Sequence, residues 1–239
     1  MCANICTKRD LKDLCEVEDY ETGAFIRSTF TYVDEQDIAW FGRTADKRKY
    51  HLTVEDLNRL LQEISDEKIY PLKNSSISMA KLLPQITLEE AKVLEFLKQH
   101  PHPNIVKYHG CTVNRGYITG IALEKYEIIL QYRFEDVPHD LDIVACMDGI
   151  RKGVKHLHLL GYAHNDLNPT NIAIDSDDNP IILDFGSCRR FGEKLLTAGT
   201  YGWIDGEYAT SAQRHDESAI NKIEAWLKEE KNKRATMAT

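Results

Sequence analysis

His164–Ile174 reads HNDLNPTNIAI, and Ile182–Ser187 reads ILDFGS. Asp166 and Asn171 stand five positions apart, and Asp184 stands between an apolar run and a Phe-Gly pair. NIAID and PIILDFG have the length and apolar character of short buried strands, and the polar tetrad SDDN between them suits a hairpin loop. Such a hairpin would bring Asn171 and Asp184 together, with Gly186 freeing the backbone to turn sharply after the strand. The helix expected before this stretch, DIVACMDGIRKGVKHLHLLG, keeps Ile143, Met147, Ile150, Val154 and Leu157 in register and is ended by Gly161.

Working outward, DESAINKIEAWLKEEKNKR reads as a last amphipathic helix that fades into charge. Upstream, NIVKYHGCTV, GYITGIALEK and YEIILQYRF read as three strands separated by turn residues. Thr87 is placed to cap LEEAKVLEFLKQH, whose Ala91, Leu94 and Leu97 stripe would face a core, with the prolines of HPHPN stopping the helix. Thr53 is placed to cap LTVEDLNRLLQEI, with Val54, Leu57, Leu60, Leu61 and Ile64 on one face. AFIRSTFTYV and DIAWFG are rich in β-branched and aromatic residues and read as strands. Strands with a helix first, then mostly helix with one hairpin, imply two unequal lobes meeting near Leu123 to Tyr126.

The 239 residues, 42% of them hydrophobic, suffice for a sizeable core. A formal net charge of -8 argues against duplex nucleic acid as a partner, because that binding is driven by Lys and Arg on phosphates. Six cysteines without CxxC spacing indicate neither a zinc knuckle nor a dense disulfide framework, and are expected to be reduced thiols. No signal-peptide-like run opens the chain, and no stretch reaches the ~18 apolar residues of a membrane span. The expectation from these exclusions is an intracellular, cytoplasmic protein with no membrane partner.

Phosphoryl transfer from ATP asks a protein for magnesium held against phosphates, a cation on the phosphate tail, and an acceptor hydroxyl aimed in line. A carboxylate and an amide oxygen from neighbouring loops suit magnesium, which prefers a few hard oxygen ligands. HNDLNPTN and DFG, in that order and behind the helix ending HLHLLGYAHND, resemble the catalytic loop and metal-binding triplet of the eukaryotic protein kinase family. HPHPNIVKYHG adds to the likeness, and with RGYITGIALEKY and DFGSCRRFGEKL the chain resembles short kinase-like proteins of fungi. The resemblance covers roughly Tyr70 to Leu227.

It implies an α+β, bilobal protein-kinase-like fold with a small divergent β-rich N-lobe and a truncated, mainly α-helical C-lobe. Residues 1–68 would be a divergent N-terminal region and 69–227 the kinase-like domain. Within the latter, 69–123 would be N-lobe, 124–126 hinge and 127–227 C-lobe, with 228–239 a charged tail. Asp166 would match the catalytic aspartate, and Asn171 and Asp184 the magnesium ligands. Glu90 would be the glutamate of helix αC, paired with Lys73 in IYPLK or Lys81 in SMAK, the spacing favouring Lys73. Leu123 would be the gatekeeper and Glu124 to Tyr126 the segment that meets adenine. His164 and Phe185 would pack between the lobes, and Asp216 would anchor the catalytic loop.

Departures from the family pattern bear on function. No GxGxxG loop precedes Lys73, the arginine position before the catalytic aspartate is Asn165, and Asn168 stands where serine/threonine kinases usually carry a lysine. Three functions therefore stand side by side. The first is an ATP- and Mg2+-dependent protein kinase acting on Ser/Thr hydroxyls. The second is a catalytically impaired pseudokinase or regulatory module with a protein partner. The third is a small-molecule phosphotransferase.

Overall fold

The computed structural model describes residues 5–19, 22–70, 82–136, 140–197, 199–206 and 208–237. The chain divides into two compact units, Met1–Gln85 with Val113–Thr119, and Ile86–Thr112 with Gly120–Thr239.

The first unit is built on a four-stranded sheet in the order β1 (Asp13–Glu18), β2 (Phe25–Val33), β3 (Ala39–Thr44), β4 (Gln62–Ile64), with every neighbouring pair antiparallel. Helix α1 (Val54–Leu60) lies between β3 and β4 in sequence. Phe30, Trp40, Leu52, Leu57, Leu61 and Ile5 form its core. Thr53 does cap α1: its hydroxyl accepts the Asp56 N–H, and the Asp56 carboxylate accepts the Thr53 N–H, a reciprocal pair that satisfies two otherwise orphaned donors. The Lys47 ammonium, followed by the Thr53 groups, holds the Asp56 carboxyl well below the usual carboxylate range. α1 stops at Leu60, however, where the sequence pattern carried it through Ile64. Leu61 turns to an extended conformation and Ile64 pairs instead with Ala39, so edge pairing onto the sheet replaces the helix's last turn. A single helical turn, α2 (Asp66–Ile69), follows. Asp66 receives the Arg115 guanidinium at 2.8 and 2.9 Å from the 113–119 hairpin tip.

The second unit carries α3 (Leu82–Lys98) from Ile86 onward, the paired strands β5 (Tyr108–Asn114) and β6 (Tyr117–Leu123) apart from their 113–119 tip, β7 (Ile128–Ile129), α4 (Arg133–Asp136) and α5 (Ile143–Leu159). The strands β8 (Tyr162–Ala163), β9 (Ile172–Ile174), β10 (Pro180–Ile182) and β11 (Arg189–Arg190) follow, and α6 (Gln213–Met237) closes it. α3 runs through Thr87 and begins ahead of it. Pro84 falls in its first turn, where a missing N–H costs no helical bond, so the helix starts before the threonine that was expected to cap it. Ala91, Leu94 and Leu97 are buried as their spacing implied. Only Ile128–Ile129 of YEIILQYRF is strand. Leu130 and Arg133, three apart and both fully buried, mark the switch to helical periodicity. α6 starts before Asp216 and continues through the charged segment, laced by Glu224–Lys228 and Glu229–Lys233 pairs.

β9 and β10 form the expected hairpin, with Ile172 opposite Ile182 and all six strand residues buried. Two further features place it. α5 approaches it closely through Gly149 and Gly153, where an added Cβ would fall 2.6 Å from Pro180 Cγ and 2.8 Å from Ile182 Cδ1 respectively. Along the edge of β10 lies the HPNIV segment: Ile182 N–H donates to Asn104 O (2.9 Å), Val106 N–H donates to Ile182 O (3.0 Å), and the Asn104 amide reaches Pro180 O (2.9 Å). Among the described residues no helix is long and apolar enough to cross a membrane.

The Gly149 contact yields a stability prediction. Gly149→Ala is expected to lower unfolding free energy by about 1–3 kcal/mol in urea titrations, because overpacking against a rigid proline ring outweighs the gain of about 1 kcal/mol in helix propensity. Adding Pro180→Ala should restore much of the loss.

Candidate active site

The loop His164–Asn171 is shaped by a carboxylate it does not contain. Asp216, in the first turn of α6 and fully buried, accepts the N–H groups of His164 (2.9 Å) and Asn165 (2.8 Å), and His158 Nε2 lies 2.8 Å from it. These bonds fix the entry into the loop. β8 fixes it further by pairing with β11, Ala163 opposite Arg189. The His164 ring accepts the Asp166 N–H at Nδ1 (3.3 Å), so Nε2 carries the hydrogen and donates to Leu183 O (2.8 Å). The same ring meets Phe185 edge-on, with centroids 5.4 Å apart.

Asp166 emerges from this frame half-buried. Its Oδ1 accepts the Thr200 N–H at 2.7 Å. Asn168 braces the same corner: its Nδ2 donates to Asp166 O and to Thr200 Oγ1, both 3.2 Å, while its Oδ1 accepts the Thr170 N–H and caps the 3-10 turn Pro169–Asn171. Asn171 donates its Nδ2 to Asp166 O (2.9 Å), which commits the amide's donor end to the loop. Its oxygen receives a long contact from the Thr170 hydroxyl at 3.5 Å.

Asp184 comes from the other arm of the hairpin. The β9–β10 pairing runs one step past the strands, Leu183 N–H donating to Asn171 O at 2.9 Å, so Asp184 sits at the hairpin's open end beside Asn171. Asp184 is exposed and lies at φ 54, in the left-handed region that aspartate tolerates better than most side chains. Its Oδ1 accepts the Gly186 N–H (3.1 Å), and an added Cβ on Gly186 would fall 3.2 Å from that oxygen, a crowded position that glycine relieves. Phe185 next to it is fully buried.

Glu90 of α3 reaches the same turn, accepting the Phe185 N–H at 3.3 Å. Burial, and then the charge of Asp184, push its carboxyl up to about 7, while the Phe185 N–H and Arg189 act in the opposite direction. The residues expected to form the hinge are less concentrated. Leu123 packs against the core, Glu124 donates its N–H to Lys107 O (2.9 Å) and places its carboxylate 3.0 Å from His109 Nε2, and Tyr126 is partly buried. Lys73 and Lys81 lie outside the described residues. Asp166, Asn171, Asp184 and Glu90 are thus gathered around one hairpin end, whereas Leu123 ends β6 and Glu124 and Tyr126 follow it. Thr200 escaped the sequence reading: its only signal is the preceding Gly199, whose φ of 66 and crowding against Asn165 O mark a close approach of the chain.

Glu90 has a raised carboxyl, so in the nucleotide-free protein it binds its proton more tightly folded than unfolded. Stability should therefore fall as pH rises from the ordinary 4.5 to about 7. Glu90→Gln removes that dependence. It should gain on wild type by about 2–3 kcal/mol at alkaline pH and by almost nothing at acid pH, read from urea unfolding across the range.

Comparison with known proteins agrees with this geometry. The model of the protein kinase domain matches residues 59–226. The chain is 30% identical over 156 residues to the serine/threonine-protein kinase/endoribonuclease IRE1 of Hypocrea jecorina, covering 57% of this chain and 12% of that protein. It is 31% identical over 158 residues to the MAP kinase kinase kinase SSK2 of Saccharomyces cerevisiae, covering 62% and 10%. It is 30% identical over 215 residues to the G-type lectin S-receptor-like serine/threonine-protein kinase CES101 of Arabidopsis thaliana, covering 81% and 22%. It spans only a small part of each relative's length. With a family match over more than half its residues, and an α+β architecture of sheet-rich first and helical second parts, the chain belongs to the protein kinase domain family.

Proposed function

We propose that the protein transfers the γ-phosphoryl group of ATP to serine or threonine hydroxyls of proteins, with magnesium as cofactor. The observation that carries this reading is the β9–β10 register, which brings residues 171 and 184 to the same end of the hairpin while Asp166 is braced at the neighbouring corner. Thr200 N–H engages Asp166 Oδ1 at 2.7 Å while Oδ2 receives a longer contact from Asn171 Nδ2 at 3.5 Å, so Oδ2 is the more available oxygen with which Asp166 would orient an acceptor hydroxyl and receive its proton.

The donor set fits magnesium. Among the described residues no three His, Cys, Asp or Glu side chains are grouped as a metal cage, and magnesium is commonly held by one or two protein oxygens together with substrate phosphates and water. Asp184 and Asn171 would supply those oxygens, and the bound ion would neutralise charge on the phosphates. Glu90 would orient a lysine on the phosphate tail, Lys73 in preference to Lys81. Leu123, Glu124 and Tyr126 would line the adenine side.

A second reading, binding of nucleotide without turnover, is favoured by Asn168. Its amide braces Asp166 where a cation would stabilise the charge of transfer, and loss of such a group lowers rate while leaving binding intact.

Two measurements test these readings. Binding of a fluorescent ATP analogue should tighten when magnesium is added to wild type, and that increment should vanish in Asp184→Ala. Labelled-phosphate transfer to generic protein acceptors should fall about 100-fold or more in Asp166→Asn with binding unchanged. Magnesium-dependent binding with no transfer by wild type selects the second reading. Binding indifferent to magnesium overturns both.

A further inference from the structure

Asn165, the residue before Asp166, is 3% exposed and adopts φ 65. Asparagine is among the few side chains that tolerate this left-handed conformation, and here both ends of its amide are used. Nδ2 lies within hydrogen-bond distance of Ala163 O (2.8 Å), Ser187 O (3.0 Å) and Ser211 Oγ (3.1 Å). Oδ1 accepts the Ala212 N–H (3.3 Å) and faces His215 Nδ1 at 3.0 Å. Its backbone N–H goes to Asp216. One side chain therefore touches the end of β8, the segment just past Gly186, the connection before α6, and α6 itself.

The partners are themselves tied in. Ser211 Oγ donates its hydrogen to Arg189 O (3.0 Å), so toward Asn165 it acts as acceptor. The His215 ring stacks on Tyr208 with centroids 3.5 Å apart. Gly199, whose added Cβ would lie 3.3 Å from Asn165 O and 3.7 Å from Asp166 Oδ1, brings Thr200 onto the same loop. All of the amide's partners are carbonyl, hydroxyl, backbone N–H or imidazole groups, so the side chain makes no ion pair. A buried polar group satisfied in this way is costly to disturb, since removing it strands several partners at once.

We propose that Asn165 is a positioning residue for Asp166. It is a charge-free lock that holds the Asp166 loop against the segment after Gly186 and against α6, and so sets Asp166 in place. The role of Asp166 in transfer rests on the function proposed above; the lock itself is structural and is read separately.

The test compares the full chain with its variants Asn165→Gly and Asn165→Asp. Glycine keeps the backbone conformation and deletes the amide; aspartate keeps its size and acceptor but loses its donors. The reporter is hydrogen exchange of the Thr200 amide, which bonds Asp166, with the Ile182 amide as internal control. Both variants should exchange Thr200 about tenfold faster with Ile182 unchanged. Where wild type transfers phosphate, kcat should fall about tenfold with KM for ATP nearly constant. Wild-type protection of Thr200 in both variants overturns the proposal. Should neither variant fold, Ser211→Ala removes one partner and should speed Thr200 exchange about threefold; no change overturns the lock. If wild type transfers no phosphate, the exchange arm decides alone, so failure of the lock and failure of the transfer reading are told apart.

Discussion

The buried carboxylate of Asp216 is the constraint on which the site depends. A charge taken fully out of water must be met by hydrogen-bond donors, and here two of them are the consecutive backbone N–H groups of His164 and Asn165. Those two bonds dictate the direction in which the chain leaves β8. Everything after them follows: the left-handed turn at Asn165, the outward position of Asp166, and the 3-10 turn that returns the chain into β9 at Asn171. Because Asp216 belongs to the first turn of a 25-residue helix packed on α5, the loop is referenced to the buried core that those two helices share.

The electrostatic character of the hairpin end is acidic. Asp166, Asp184 and Glu90 approach it from three different elements, and burial keeps Glu90 partly protonated near neutral pH. Such a concentration of carboxyl groups is costly for a protein alone and becomes favourable when cationic charge enters.

Much of this was legible in the residues. The β9–β10 hairpin, the α5 stripe and the capping box at Thr53 come from local patterns that carry their own physics: period, turn chemistry and a reciprocal cap. The misses have a common cause, competition from partners distant in sequence. Ile64 left its helical face because Ala39 offered strand pairing, and Thr87 was absorbed into α3 once Pro84 opened the helix upstream. Leu130 and Arg133 left a strand-like run for burial at helical spacing. Within the site, the position of Asp166 in its motif was readable. The bracing by Thr200 and the reach of Asn165 to Ser187, Ser211 and His215 were not, since they join segments whose spacing has no local period.

The bonds between Asn104 and the Pro180–Ile182 strand also bear on how the molecule assembles. The hairpin itself closes a short loop and can form on a microsecond timescale, but joining it to Asn104 closes a loop across 76 positions. Such non-local closure bears its entropy cost before its contacts are rewarded, which slows folding. The open end carrying Asn171 and Asp184 would then exist as a local element before α5 and the HPNIV segment clamp it, making the acidic corner an early structure and its rigid setting a late one.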